Sequence, residues 1–404
     1  MTQSSIFEQI LDQAHRADPY PLYADLRKTP VARQADGSYV VSTYPEIVSL
    51  LHDPRVSSDM LNSADPTIVD GDQPPSFLHQ DPPDHDRLRR MTMRHFGPPH
   101  TPRRIAAMEP DLAAIVTRLI DGLAGRSWID VVDDLAYPFP VAVICELLGV
   151  PREDEPRFHR WVEQGVQALD PSLDAAARQR MRAQAMADLS AYLTDLVDAH
   201  RRAPGHDLLS AMATDDGPEG RMPTGQLVST AILLLIAGHE TTVNLIANGM
   251  LTLLRHPDVL RRLRGDPDLA IPMVEELLRY EPPVHFLPWR TTLDDIDIAG
   301  TTIPKGAQVT LVLAAGNRDP DHVADPDRFV PDRDGNQHLG FGGGIHACFG
   351  APLARLEAQI ALTALARRLH NPRLAADPPP YRPNPVLRGP LHLPVDIDGV
   401  APAA

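Results

Sequence analysis

The sequence predicts a mainly α protein with a minor β part. Three observations support this class: a helical pattern from about residue 84 to residue 264, one very apolar helix within it, and short alternating stretches outside it. Prolines and glycines interrupt the helical pattern at 98–99, 149–151, 170–171 and 204–205. With 404 residues and no internal repeat, the chain is long enough for one large core.

The β part is expected in two stretches, about 28–60 and 285–312. In the first stretch, short alternating segments flank a turn at Asp36-Gly37. In the second stretch, strand-like segments follow Tyr280, at 296–298, 302–303 and 308–312. We therefore expect a small sheet beside the helices.

The longest predicted helix runs from about Thr224, a suitable N-cap, to Arg255, just before His256-Pro257. Such a helix is roughly 45 Å long, which is enough to cross a whole domain. Its centre, residues 231–237, is apolar all round, as is typical of a buried helix. No continuous run approaches the length of a membrane span and no signal peptide is recognisable, so we expect no membrane association.

Charge and cysteine content exclude several classes of protein. The formal net charge of -16 argues against a nucleic-acid binder. A basic stretch nevertheless exists, and it is either a solvated helix face or a docking site for an acidic electron carrier. It contains Arg87, Arg89, Arg90, Arg94, Arg103 and Arg104. The chain has only two cysteines, Cys145 and Cys348, so we expect no disulfide framework and a cytoplasmic location.

Cys348 follows a glycine-rich segment and precedes a predicted helix, whose apolar positions repeat over 353–364. The sulfur is therefore expected beside unpaired N–H groups and the positive end of the helix dipole. Both favour the thiolate, which is the form of cysteine that binds metals. The glycines at 342–344 and 350 let the backbone approach a flat group such as a haem. A buried structural cysteine is the alternative.

The spacing of Phe341, Gly344, Cys348 and Gly350 resembles the proximal-ligand motif of the cytochrome P450 family at every position. This resemblance implies the cytochrome P450 fold, with residues 1–404 as a single haem domain and the long central helix over a buried haem. It implies haem b (iron protoporphyrin IX) as cofactor and Cys348 as the axial iron ligand. Phe341, Gly342 and Gly350 are further implied cofactor-binding residues.

An ionisable cluster, residues 238–242, interrupts the apolar centre of the long helix. Burying such groups is costly unless they are paired, and a satisfied core network is one interpretation of the cluster. The resemblance implies another, in which Glu240 and Thr241 are catalytic and deliver protons to bound oxygen. Ala237 and Gly238 would then lie against the haem.

The resemblance also implies partners for the two haem propionates. His85 and Arg89, four residues apart on an early helix, match one family position, and Arg290 and His346 match the others. Buried carboxylates require charged donors of this kind.

An acidic and a basic residue on another predicted helix are expected to form a structural pair. Glu276 and Arg279 lie three residues apart on one helix face and match the family's Glu-x-x-Arg pair. Arg328 or Arg333 is expected to be the third member of this group.

The substrate pocket is expected to be apolar. The resemblance places residues 66–79 in a lid, and it places in the pocket Val284, Phe286, Leu287, Val386 and Leu387. A hydrophobic small molecule, such as a steroid, a terpenoid or a macrolide-like compound, would suit these side chains.

The implied function is a haem-thiolate monooxygenase that inserts one oxygen atom from O2 into this substrate. Electron donation from the thiolate favours O–O cleavage. Because the chain has no flavin or iron–sulfur motif, we expect a ferredoxin and a ferredoxin reductase, or an equivalent donor, to supply electrons. We expect the protein to be a monomer.

Three alternatives compete with this interpretation. A haem-thiolate sensor of gas or ligand would have the same proximal side but would not need Glu240 and Thr241. A zinc site at His338, His346 and Cys348 lacks a clear fourth ligand. A phosphate cradle at 340–344 lacks a preceding strand and the expected glycine order.

Overall fold

The computed structural model describes residues 5–63, 74–97, 101 and 103–403. It is 54% helical, which confirms the mainly α class. The helices are α1 (Ile6–Leu11), α2 (Tyr20–Leu26), α3 (Tyr44–His52), α4 (Asp84–Phe96), α5 (Arg104–Ala107), α6 (Glu109–Asp121), α7 (Pro138–Leu148), α8 (Glu155–Gln167), α9 (Ala175–Arg202), α10 (Leu208–Thr214), α11 (Thr224–Arg255), α12 (Pro257–Gly265), α13 (Ala270–Tyr280), α14 (Leu313–Gly316) and α15 (Ala351–Arg368).

The minor β part consists of short strands. They are β1 (Val31–Arg33), β2 (Tyr39–Val41), β3 (Val56–Ser57), β4 (Trp128–Asp130), β5 (Leu287–Thr292), β6 (Ile296–Ile298), β7 (Thr301–Ile303), β8 (Gln308–Leu311), β9 (Leu369–His370), β10 (Arg373–Leu374), β11 (Pro394–Asp396) and β12 (Gly399–Val400). Five of them form a sheet in the order β1-β2-β8-β5-β3, in which β2 and β8 are parallel and the other pairs are antiparallel. This sheet joins the two stretches in which the sequence predicts strands.

The sheet has its own small core against α3. Val41, Val309 and Leu311 are fully buried there, and they pack with Ile47 and Leu50 of α3. The alternation of buried and partly exposed residues along β8 explains why the sequence pattern identifies it. The helices surround a separate and much larger core.

The long helix α11 is the centre of this larger core. It begins at Thr224, with Pro223 at the N-cap and no side-chain cap, and it ends at Arg255 as predicted. It packs against α7, α9 and α15. By composition, contrary to the expectation from continuous runs, α11 is apolar enough to cross a membrane, with a mean hydropathy of 1.4 over 18 residues. However, 72% of that window is buried inside the protein, as in the core helix of a globular fold.

A buried ion cluster connects α13 to the loop before Cys348. Glu276 and Arg279 are fully buried, and their side chains form two hydrogen bonds of 2.7 Å. The Arg333 Nε donates to the same carboxylate at 3.2 Å, whereas Arg328 is exposed and pairs with Asp325. Arg333 is therefore the third member that the sequence left undecided.

We predict that Glu276→Gln lowers the free energy of unfolding by about 3–5 kcal/mol, because it leaves the buried Arg279 without its partner charge. Urea denaturation of the haem-loaded protein, followed by circular dichroism, measures this loss. The control is Asp332→Asn, which breaks an exposed ion pair with Arg262 and should cost less than about 1 kcal/mol. Equal losses in the two variants would contradict a structural role for the Glu276 cluster.

Candidate functional site

A large cavity lies between the middle of α11 and the loop that precedes α15. It encloses about 1360 Å³ of empty space, including the part that is open to solvent. The wall is mostly apolar, and it includes both Cys348 and Thr241. The cavity therefore brings the cysteine of the loop and the threonine of the long helix to one apolar space.

The loop that carries Cys348 is held by its own backbone and by α3. The Cys348 N–H donates to the Phe341 carbonyl at 2.9 Å. Gly344 has a φ of 64°, and a Cβ at this position would collide with the Leu51 carbonyl oxygen of α3. Glycine is required here by the packing of the loop on α3. The sequence-based reason, approach of the backbone to a haem, does not apply to this glycine.

The Cys348 side chain is open to the cavity. Burial raises the pKa of the thiol above its usual value, while the N–H groups of Gly350 and Ala351 act in the opposite direction. The positive charges of Arg89 and Arg355 also lower this pKa. The helix start thus favours the thiolate as expected. The effect of burial is larger, so the pKa of the thiol is raised overall. Since a coordinated thiol is deprotonated outright, binding to iron would supply the remaining stabilisation.

Several imidazole and guanidinium groups near the cavity have unpaired nitrogen atoms. The buried His85 contacts Asp86 through Nδ1 at 2.7 Å, but its Nε2 has no hydrogen-bond partner among the described residues. In the same part of the chain, neither nitrogen of His346 has a partner, and its ring centroid lies 4.5 Å from that of His85. Within the described residues, Arg290 donates only to the Pro288 carbonyl, at 3.5 Å.

These unpaired groups fit the two carboxylates of haem b. Burial, together with the neighbouring Arg290 charge, lowers the pKa of His346 to about 3. Burial also lowers the pKa of Arg290 to about 10, so this side chain is still a cation at neutral pH. Buried donors without acceptors are rare in native proteins, and a pair of carboxylates would satisfy them.

Sequence reasoning missed that His79 lies near this group. Burial lowers the pKa of His79 to about 3, with contributions from Arg182, Arg290 and His346. His79 ends a short 3-10 helix, Phe77–His79, and lies in the stretch assigned to the lid. Only the fold brings it near His346, so no spacing in the sequence could have identified it. Residues 66–73 of the predicted lid lie outside the described part.

Arg89 makes a contact that the sequence did not predict. Its Nη2 donates to the Ala347 carbonyl at 2.7 Å, so α4 is tied to the residue that precedes Cys348. Arg89 also lines the cavity. It therefore holds the cysteine loop in addition to facing the cofactor space.

One face of α11 forms another part of the cavity wall. Its residues follow helical spacing: Leu233, Leu234, Ala237, Gly238, Thr241, Thr242 and Leu245. A Cβ on Gly238 would lie 2.8 Å from Ile144 Cδ1, so this glycine lets α11 and α7 approach closely. The Thr241 Oγ1 donates to the Ala237 carbonyl at 2.9 Å. Extending the predicted residues by three and four positions would have identified Leu233 and Leu234.

Glu240 does not line this cavity. Its carboxylate is buried, 3.7 Å from the His239 Nε2 and 3.9 Å from the Arg382 Nη1. Consecutive helix residues face different directions, so Thr241 can line the cavity while Glu240 packs elsewhere. Burial lowers the pKa of His239, and its Nδ1 contacts the Leu235 carbonyl at 2.8 Å. In this conformation Glu240 lies in a polar core network.

The structure separates the predicted pocket residues into two groups. Val284 and Leu287 line the cavity. Phe286 does not, because it is 1% exposed and packs edge-on against Phe7, with ring centroids 5.8 Å apart. Val386 and Leu387 are also buried in the helical core and are absent from the described cavity wall. Strand β5 begins at Leu287, where side-chain directions alternate, so neighbours such as Phe286 and Leu287 point apart.

Comparison with known proteins agrees with this geometry. The family model for cytochrome P450 matches residues 37–390. The chain belongs to the cytochrome P450 family. It is therefore a monooxygenase with a haem b cofactor, an external electron donor, and a hydrophobic substrate.

The relatives match over nearly their whole length. The chain is 44% identical to cytochrome P450 monooxygenase PikC of Streptomyces venezuelae, over 95% of this chain and 92% of the relative. It is 38% identical to 6-deoxyerythronolide B hydroxylase of Saccharopolyspora erythraea, over 95% and 96%. The crystal structure of ligand-free CYP164A2 of Mycobacterium smegmatis has a TM-score of 0.89 and 42% identity, covering 97% of this chain and 99% of that one. These matches confirm the predicted P450 fold.

Membership of the P450 family removes the competing interpretations. The family is enzymatic, so a sensor without turnover is no longer favoured. Among the described residues, only Asp130, Asp133 and His392 are grouped closely enough to hold a metal ion through side chains alone, so the predicted alternative zinc site is not formed. A phosphate cradle at 340–344 would face the Leu51 carbonyl, which is a hydrogen-bond acceptor and repels anions.

We predict that Arg290→Leu makes this P450 lose haem to excess apomyoglobin about tenfold faster or more. A hydrogen bond to a charged group contributes about 1.5–3 kcal/mol, and 1.4 kcal/mol corresponds to tenfold. Stopped-flow absorption measures the rate of transfer. The control is Arg262→Leu, which removes an exposed arginine. Equal rates in wild type and Arg290→Leu would exclude Arg290 as a propionate partner.

Proposed function

We propose that this P450 inserts one oxygen atom from O2 into a hydrophobic small molecule, and that Cys348 is the residue that would bind the haem iron. The observation that carries the proposal is the single cavity that contains both the Cys348 sulfur and Thr241, within an otherwise apolar wall. When bound, the haem iron supplies dioxygen activation. The protein supplies the sulfur, the proton donors and an apolar environment.

The cofactor is held, in this proposal, by two sets of residues. His85, Arg89, Arg290 and His346 would hold the carboxylates, and His79 lies near Arg290 and His346. The unpaired nitrogens of His85 and His346 support this assignment. The ring would lie against backbone and apolar atoms of Ala237, Gly238, Phe341, Gly342 and Gly350, all five of which line the cavity with Cys348.

The Thr241 hydroxyl would hold a proton at the cavity wall, and Glu240 would replenish it. The Thr241 hydroxyl is held at the cavity by its bond to Ala237. Glu240 would reach the cavity through a change of side-chain rotamer away from Arg382. Its contact with Arg382 is long, at 3.9 Å, which favours such a movement.

The substrate is a steroid, terpenoid or macrolide-like compound. Leu78, Leu233, Leu234, Val284 and Leu287 offer it apolar contacts. The relative named 6-deoxyerythronolide B hydroxylase supports the macrolide-like member of this set.

A ferredoxin, reduced by its reductase, supplies the electrons. The chain acts as a monomeric single domain in the cytoplasm, with no nucleic acid or membrane as partner, in keeping with its net charge of -16.

Arg90 and Arg94 alone cannot form the docking site for the ferredoxin. Arg94 forms ion pairs with Asp215, at 2.7 Å, and with Glu219, which also contacts Arg90. These acids neutralise part of the basic stretch.

The proposal is tested by titrating the ferric protein with steroids, terpenoids, macrolides and small aromatics. We expect one chemical class to shift the main haem absorption band to the blue and to saturate, because it displaces water from the iron. Turnover of that compound with ferredoxin, reductase and O2 should then give a product one oxygen atom heavier by mass spectrometry. A compound that shifts the band but gives no oxygenated product would contradict the proposal.

With that substrate, Thr241→Val should consume reductant at a similar rate but give several-fold less product and more hydrogen peroxide, because it removes only the hydroxyl group. The control is Thr252→Val on the same helix, whose hydroxyl also donates to the carbonyl four residues back but does not line the cavity. Unchanged coupling in Thr241→Val would refute its role in proton delivery.

A further inference from the structure

We propose that Glu275 and Arg355 are positioning residues that set the charge next to the Cys348 sulfur and thereby the reduction potential of the haem. This inference rests on the proposed axial ligation by Cys348. It concerns Glu275, which precedes Glu276 on α13.

Glu275 and Arg355 form a two-point ion pair between α13 and α15. The Arg355 Nε lies 2.6 Å from Glu275 Oε1, and its Nη2 lies 2.9 Å from Oε2. His338 Nε2 contacts the same Oε2 at 3.0 Å. Arg355 and His338 lower the pKa of Glu275 to about 2 despite its burial, so this carboxylate is ionised at any working pH.

The ion pair is built into the cysteine loop. The Arg355 guanidinium carbon lies 4.6 Å from the centroid of the Phe341 ring, within the range of a cation–π contact. The Phe341 carbonyl, in turn, accepts the hydrogen bond from the Cys348 N–H. The loop therefore fixes the position of the guanidinium relative to the sulfur.

Arg355 also shares a small crevice with the sulfur. Cys348, Arg89, Phe349 and Arg355 all line it. Arg89 and Arg355 are the cations whose charges act on Cys348. Arg89 donates to the Ala347 carbonyl, whereas Arg355 is paired with the Glu275 carboxylate. The field at the sulfur therefore depends on the balance within the Glu275–Arg355 pair.

The sign of the effect follows from electrostatics. One-electron reduction makes the iron–thiolate unit more negative, so a nearby cation stabilises the reduced form and a nearby anion destabilises it. Arg355 raises the potential and Glu275 lowers it. Both side chains are about one-third exposed, at 35% and 28%, so solvent weakens but does not remove the interaction.

Spectroelectrochemical titration of the haem-loaded protein tests this proposal with four variants. Glu275→Gln should favour the reduced form, and Arg355→Met should favour the oxidised form, each by up to about tenfold in the equilibrium constant, which is about 59 mV for one electron. The double variant should return close to wild type, because the pair again has no net charge. Arg355→Lys keeps the charge and should shift the potential less than Arg355→Met.

A purely structural role for the pair would give a different pattern. Loosening of the loop would move Glu275→Gln and Arg355→Met in the same direction, and this result, or no shift in either, would overturn the proposal. Asp332→Asn, which removes an exposed charge of the Arg262 pair, is the control and should leave the potential unchanged. The absorption spectrum of the reduced CO complex is recorded for each variant, because it shows whether a thiolate binds the iron. A wild type without a thiolate signature would instead refute the axial role of Cys348.

Discussion

The hydrogen bond from the Cys348 N–H to the Phe341 carbonyl fixes the loop that presents the sulfur to the cavity. The loop is enclosed by three elements: α3 meets it at Gly344, α4 donates to it through Arg89, and α15 begins directly after it. The buried Glu276 cluster holds the chain that leads into it. Segments that are distant in the sequence thus fix the position of one sulfur atom. The cavity, the side chains that fit the cofactor carboxylates, and the face of α11 are arranged around that position.

Much of the fold follows from local sequence. The apolar centre of α11 and the proline after Arg255 define the long helix, and the alternating segments at 31–42 and 296–312 identify the strands. The order β1-β2-β8-β5-β3 could not be predicted, because it pairs strands more than 200 residues apart, and such pairing leaves no periodic signal in either strand. The choice of Arg333 over Arg328 depends on the path of a loop, and spacing alone does not determine this path.

Local sequence likewise predicts one part of the site but not the other. A motif with fixed spacing locates Cys348, and the position of Thr241 on a helix face explains why it lines the cavity. Tertiary packing decides the rest. Phe286 enters the core beside Phe7, His79 approaches His346 through the fold, and Arg94 meets acids of the α10 region. Burial also reverses the expected effect of the helix start on the Cys348 thiol, since desolvation depends on neighbours that the sequence does not reveal.

The absorption spectrum of the reduced CO complex tests the central claim most directly, because it reports the axial ligand itself. Wild type should show the thiolate signature, and Cys348→Ser should lose it, with or without retaining haem. Cys145→Ser is the matched control, since Cys145 is the other cysteine of the chain and is buried in α7 away from the cavity wall. It should keep the signature. A thiolate signature that persists in Cys348→Ser would contradict the account.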